Sequence, residues 1–333
     1  MKRVAILCPG RGSYTEKSLG SLPREHAWVR RADELRAERG LSSLAELDGA
    51  KKFEPARHLA PVDVSPLIWL VSMLDAAAAA QEHRVVCVAG NSMGWYTALA
   101  VAGALDFDDG FRLVQEMAVL QHEQQKSEGG GQVLYPIVDE HWRKDAAHEA
   151  AVAAAIESSG GAAFPSIRLG GYAVVGGTEA GVTHVLRALP KVKMGQNLYP
   201  FRLMQHGPYH TPLLAGVAEK ASQRLADLRF TAPRTTLVDG RGARFTPWSS
   251  DPAALAAYTL GSQVREPFDF TASVRVALRE HAPDRLVCPG PGNTLGGVVG
   301  QILVEEGWRG IRSREEFDRV QKGEEPILVS MRR

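Results

Sequence analysis

Val85-Val86-Cys87-Val88-Ala89-Gly90-Asn91-Ser92-Met93-Gly94-Trp95-Tyr96-Thr97-Ala98-Leu99-Ala100 runs from an apolar stretch, through a serine flanked by glycines, into a helix-forming stretch. The spacing Gly90-x-Ser92-x-Gly94 between strand and helix is that of a nucleophile elbow. Such a turn lifts the serine hydroxyl clear of the sheet, and glycines on both sides spare the tight backbone a Cβ clash. The N–H after the serine, at a helix N-terminus, is placed to donate to a developing oxyanion.

Working outward, apolar strand-like runs alternate with Ala/Leu-rich helical ones, which predicts an α/β fold around a mostly parallel sheet. Val4 to Cys8 reads as the first buried strand, stopped by Pro9-Gly10. The alternation is interrupted once. Past a helix ending near Gln125, Ser127-Glu128-Gly129-Gly130-Gly131 reads as a flexible joint and Val133 to Val138 as a strand. A helix from Ala146 to Ile156, a strand around Tyr172 to Val175 and a helix near Ala180 to Leu189 follow, closed by the apolar stretch Leu198 to Met204. This β-α-β-α run of about 70 residues predicts a small sandwich inserted into a larger domain, with 128–203 as the insertion and 1–127 plus 204–333 as the large domain.

With 333 residues, 44% of them hydrophobic, the chain can bury a large core. Its 39 basic and 38 acidic residues leave a formal charge of +1, which gives no long-range electrostatic pull toward nucleic acid or an anionic membrane. Cys8, Cys87 and Cys288 stand far apart at apolar runs and read as buried reduced thiols. No C-x-x-C or H-E-x-x-H spacing occurs, so neither a disulfide framework nor a metal site is expected. The apolar stretch after Met1-Lys2-Arg3 is too short for a signal peptide, and no segment reads as the roughly 18 apolar residues of a membrane span, so a cytoplasmic location is expected. Gly10-Arg11-Gly12 and Gly290-Pro291-Gly292 both lack the third glycine of a dinucleotide loop and a Walker lysine. A turn or oxyanion role for the first and helix-start packing for the second suffice, and no nucleotide cofactor is expected.

The elbow needs a base. His210 stands out among the ten histidines, because Gly207-Pro208-Tyr209-His210-Thr211-Pro212 puts a turn before an apolar helix start, with Thr211 as candidate N-cap and Pro212 at the first helical position. Spacing alone assigns His210 a structural role more readily than a catalytic one, and leaves His206, His184 and His122 as competitors.

The elbow, the Pro9-Gly10-Arg11-Gly12-Ser13 loop, His210-Thr211-Pro212-Leu213 and Gly290-Pro291-Gly292 occur in the order and near the spacing of the malonyl-CoA:acyl-carrier-protein transacylases. The chain resembles that family, which includes the acyltransferase domains of polyketide synthases, over nearly its whole length. The resemblance implies an α/β-hydrolase-like large domain with a parallel sheet, carrying an inserted ferredoxin-like small domain. It implies Ser92 as nucleophile toward an acyl thioester and His210 as its base. The family orients its histidine with a backbone carbonyl, a position matched by Gln263, and builds its oxyanion hole from backbone N–H groups that match Met93 and Arg11. The implied substrates are acyl-CoA or a carrier-bound acyl group, and the phosphopantetheine thiol of an acyl carrier protein. No separate cofactor is implied. Since no carrier or ketosynthase segment is attached, a partner supplied in trans is expected.

Departures from the family pattern fall on the acyl pocket. Members that transfer malonyl groups hold the carboxylate with an arginine on the helix after the elbow, whose planar fork binds it bidentately. Counting from Ser92, that position is Met117, which cannot neutralise an anion. Asn91, Trp95 and Arg11 stand where histidine, glutamate and glutamine are usual, and Tyr209 lies in a segment that varies with acyl choice. The pocket is then either apolar, with Met117 and Trp95 receiving an uncharged acyl group, or it has its cation moved to the opposite wall at Arg11. The first is preferred, and Met117 as an ordinary core methionine is compatible with it. An acyl hydrolase that clears carrier proteins uses the same serine and histidine and is the alternative activity. Carrier proteins are acidic, which makes Lys191, Lys193 and Arg202 candidate docking residues, although solvated surface charge accounts for each of them.

Overall fold

The computed structural model describes residues 1–332. Their strands are β1 (Arg3–Cys8), β2 (Arg84–Gly90), β3 (Gly131–Pro136), β4 (Ala163–Leu169), β5 (Tyr172–Gly177), β6 (Val192–Met194), β7 (Asn197–Tyr199), β8 (Phe201–Arg202), β9 (Leu237–Val238), β10 (Arg244–Phe245), β11 (Phe268–Asp269), β12 (Arg285–Cys288) and β13 (Leu328–Ser330).

One sheet has the order β10-β9-β2-β1-β12-β13 and is parallel except between β9 and β10. Successive residues of a strand face opposite sides, yet Val4 to Cys8 are all 0% exposed, so both faces at β1 are covered. That is why β1 and the end of β2 read as unbroken apolar runs rather than as an alternation. Helix Pro61–Glu82 corrects one expectation: by length and hydropathy it could cross a membrane. Here Leu67 to Val71 on it are fully buried within the main core, and five successive buried residues span the whole circumference, so this middle stretch is apolar all round.

A second sheet has the order β11-β4-β5-β3-β8. In chain order β3, helix Ala146–Glu157, β4, β5, helix Glu179–Ala188 and β8 give the βαββαβ arrangement of a ferredoxin-like unit. Its own apolar core gathers Val133, Tyr135, Val152, Val175, Val182 and Val185. The sequence reading missed β4, whose apolar run is broken by Pro165. The register with β5 shifts between Pro165 and Ile167, and a bulge is where a strand tolerates proline. The joint is also sharper than expected. Helix Phe107–Glu128 runs through Glu128, and Gly129 and Gly130 then turn with φ of 69° and 93°. The boundary 128–203 is too narrow for the sheet, because β11, from positions 268–269, pairs in parallel with β4.

Candidate active site

β2 ends at Gly90 and helix Gly94–Val101 begins two residues past Ser92, which itself takes a left-handed φ of 55°. The flanking glycines are not left-handed. They are needed for space: a Cβ on Gly94 would collide with the Cys8 carbonyl oxygen and lie 2.8 Å from the Pro9 oxygen, and one on Gly90 would lie 2.6 Å from the Trp95 nitrogen. The serine carries the backbone strain, and the glycines let the helix start press against the ends of β1 and β2. The first loop lies against this turn, since a Cβ on Gly10 would be 2.8 Å from the Asn91 oxygen and 3.6 Å from the Ser92 Cβ. Gly290 to Gly292 start no helix, contrary to expectation, because helix Gly296–Glu305 begins later. Gly292 backs onto Ser13 of the first loop, where a Cβ would lie 2.6 Å from the Ser13 oxygen.

His210 is brought to Ser92 from the chain that returns out of the small sheet. Its φ is 57°, its N–H donates to the Val264 carbonyl at 3.2 Å, and its ring packs on Phe268 with centroids 5.3 Å apart. Nδ1 donates to the Gln263 carbonyl at 2.7 Å, which leaves the Nε2 lone pair to accept from Ser92 Oγ–H at 2.6 Å. Burial pushes the imidazole down to about 4, although the Gln263 carbonyl pulls the other way by stabilising the protonated ring. The ring is therefore neutral near pH 7, in the state a base requires. Gln263 follows the single π-helical turn Tyr258–Ser262, at a helix end where carbonyls lack partners within the helix.

The Gln263 side chain adds contacts that the sequence reading did not contain. Nε2 donates to the Ser92 carbonyl at 3.1 Å, and Oε1 accepts from the Tyr96 hydroxyl at 2.9 Å. One residue thus grips nucleophile and base together. The N–H groups of Met93 and Arg11 have no acceptor among the described residues, and Met93 is the N-cap of helix Gly94–Val101, where the helix dipole is positive.

Of the remaining pocket candidates, Tyr209 adjoins His210 and receives Arg11. The guanidinium lies 5.1 Å over the Tyr209 ring, donates to its hydroxyl, and donates to the Gln205 carbonyl at 2.6 Å. Asn91 is buried beside Gly10 with Oδ1 unpartnered. Met117 is 1% exposed within the apolar core. Trp95 corrects the sequence reading: it is fully enclosed, its Nε1 donates to Thr259 Oγ1 at 3.0 Å and its ring stands edge-on to Tyr258, so it offers no surface to a substrate. Thr211 sits at an N-cap position, but its hydroxyl turns back to the Pro208 carbonyl at 2.6 Å.

Among the competing histidines, His184 pairs with Ser158 in the small sheet's helices and His122 lies on helix Phe107–Glu128. His206 joins a polar relay instead. Its Nδ1 donates to Gln132 Oε1 at 2.9 Å, Gln132 Nε2 donates to Ser166 Oγ at 2.7 Å, and Ser166 donates to the Tyr209 carbonyl at 2.7 Å. The relay ties β3 and β4 to the residue before His210, and no local sequence signal announces it. Of the docking candidates, Arg202 is paired with Glu179 at 2.6 Å and Lys191 donates to the Leu186 carbonyl at 3.4 Å, which leaves Lys193 as the exposed cation without a described partner.

No protein-family model matches the sequence. The malonyl CoA-acyl carrier protein transacylase of Salmonella typhimurium is 26% identical over 314 residues, covering 91% of this chain and 94% of that protein. Its counterpart from Mycobacterium bovis is 25% identical over 326 residues, covering 95% and 98%. In three dimensions the fold is similar to an acyl-carrier-protein S-malonyltransferase from Burkholderia pseudomallei, with a TM-score of 0.74 at 22% identity over 99% of this chain and 96% of that one. A malonyl transacylase solved in complex with its type II polyketide synthase acyl carrier protein aligns with the same TM-score, at 22% identity over 90% and 93%. Taken with the sequence motifs and the α/β architecture, these likenesses show that the chain is an acyltransferase similar over nearly its whole length to the malonyl-CoA:acyl-carrier-protein transacylases, whose fold it shares.

Proposed function

We propose that this acyltransferase moves an acyl group from a CoA or carrier-protein thioester, through an ester on Ser92, to the phosphopantetheine thiol of an acyl carrier protein in fatty-acid or polyketide biosynthesis. The observation that carries the mechanism is the Ser92 Oγ to His210 Nε2 hydrogen bond of 2.6 Å, with His210 Nδ1 held by the Gln263 carbonyl. As Oγ attacks the thioester carbonyl its proton passes to Nε2, and the N–H groups of Met93 and Arg11 receive the oxyanion. Collapse breaks the C–S bond, and the imidazolium returns the proton to the departing sulfur. A second thiol then gives its proton to Nε2 and attacks the ester, releasing the acyl thioester and restoring Ser92 Oγ–H. Two half-reactions through one serine give ping-pong kinetics.

The acyl group is uncharged. Met117 in its apolar surroundings provides no carboxylate partner on the helix wall, and both Arg11 Nη atoms are engaged by Tyr209 and Gln205. A second reading rests on Arg11 as well: no carboxylate among the described residues pairs with it, and its Nε is unpartnered, so it could hold a carboxylate-bearing acyl group.

Intact-protein mass spectrometry after brief mixing with acetyl-, butyryl- and malonyl-CoA tests both, with Ser92→Ala as control. Neutral donors are expected to load at least about 100-fold faster than malonyl-CoA, the equivalent of the roughly 3 kcal/mol cost of burying an anion without a partner. Rapid malonyl loading that is lost in Arg11→Gln establishes the second reading instead. An adduct that decays in water as fast as with carrier protein makes the enzyme a hydrolase, and a wild-type chain that no donor loads overturns the proposal.

A further inference from the structure

A second cavity, of about 360 Å³, opens at the other end of the nucleophile's strand. Arg3 and Arg84, the first residues of β1 and β2, line it together with Arg234, Arg244, His281 and Trp248, residues scattered over the chain and gathered only by the fold. Arg244 is paired with Glu280. Arg3, Arg84 and Arg234 have no ion-pair partner among the described residues. The Arg3 guanidinium donates only to the His281 carbonyl, at 2.6 Å, and Asp284 receives the Arg3 backbone N–H and lies 3.6 Å from Arg309. His281 adds a buried Nε2 with no partner. Trp248 is 82% exposed, the one aromatic among the exposed large apolar side chains.

The geometry points to a binding site for a nucleoside phosphate, with the guanidiniums on the phosphates and the base stacked on Trp248. Uncompensated arginines converging on one cavity present fork donors suited to phosphate oxygens. An indole exposed beside them supplies a flat apolar face, which a bare anion does not need and a heterocyclic base does. The volume lies at the lower end of small-molecule pockets. The site is separate from acyl transfer: the six residue steps from Arg84 to Gly90 along an extended strand put it about 20 Å from the elbow, across the sheet. The direct path between the two runs through packed interior, where Val4 to Cys8, Val88 and Ala89 are 0% exposed, so an acyl-CoA reacting at Ser92 has no straight route to it and its occupant is a second molecule.

Titration calorimetry of the full chain with ADP, pyrophosphate and adenosine tests this assignment, alongside iodide quenching of tryptophan fluorescence, to which the exposed Trp248 is most accessible. ADP is expected to bind one to one, at least tenfold tighter than adenosine, and to protect Trp248 from iodide. An Arg84→Ala/Arg234→Ala variant is expected to lose at least tenfold toward ADP and pyrophosphate with an unchanged melting temperature. Trp248→Ala is expected to weaken ADP and leave pyrophosphate unaffected. Absence of ADP and pyrophosphate binding overturns the assignment, as does ADP binding that survives the double arginine variant. A single-stranded oligonucleotide that binds a hundredfold tighter than ADP overturns it in favour of a nucleic-acid surface.

Discussion

His210→Ala is expected to slow acylation of Ser92 by about 10⁴- to 10⁶-fold, the range over which removal of one member of a nucleophile–base pair falls. Ser92→Ala removes the adduct altogether, and the double variant is no worse than Ser92→Ala, because the two side chains act as one unit. Both are measured by quenched-flow acylation with mass detection. The pH dependence follows from the same imidazole. Its folded value, pushed down to about 4, lies below the ordinary 6.5, and the neutral form is the base. Acylation should therefore be flat across neutral pH and fall only as pH drops through about 4, where a solvent-exposed histidine would already have lost activity below 6.5. The stability consequence has a definite sign. Between 6.5 and about 4 the unfolded chain binds a proton that the folded chain refuses, so this histidine costs about 1.4 kcal/mol of stability per pH unit on descent through that window. His206, also pushed down by burial and by Arg11, acts in the same direction. Denaturant midpoints measured from pH 7 to 4 read the sum.

Gly94→Ala is expected to destabilise the chain by about 3 kcal/mol, at the upper end for one added methyl group in a packed core. The obstacle is backbone, the carbonyls of Cys8 and Pro9, and not the end of a side chain that could swing away. Relief requires the end of β1 to separate from the helix start, which displaces Arg11 from the elbow and weakens the oxyanion hole. Reduced acylation should thus accompany a lower denaturation midpoint. Gly216→Ala, on helix Ala215–Arg224 with nothing within 4 Å of the new methyl, serves as the comparison and is expected to stabilise slightly. Equal stability of Gly94→Ala and wild type would show that the first loop and elbow are not in obligatory contact.

What the sequence disclosed was what is local. Strand, turn and helix around Ser92 are adjacent in the chain and carry their own chemistry. His210, 118 residues further on, is distinguished from three other histidines by the family resemblance and not by spacing. The sequence points to Gln263 for its carbonyl alone, because the side-chain grip on Ser92 and Tyr96 exists only once the π-helical turn is folded against helix Gly94–Val101. Trp95 departs from its expected place in the pocket for a related reason: proximity to the elbow in sequence does not say which side of the helix faces the substrate, and its indole turns to Thr259 and Tyr258. Arg202 looked free because Glu179, which neutralises it, lies 23 positions away. The relay from His206 through Gln132 and Ser166 joins two strands to one loop and leaves no periodic trace.

The dipeptide Phe268–Asp269 has an effect on how this enzyme could be taken apart. Phe268 continues the small sheet beside β4 and supports the His210 ring, while Asp269 caps helix Phe270–His281 by accepting from the Ala272 N–H. A chimera that swaps only 128–203 for a relative's segment would therefore present the grafted β4 with a foreign edge and loosen the ring's backing in the same cut. The portable unit for recombination is the insertion together with residues 263–270, and a graft that honours this seam keeps its histidine in register.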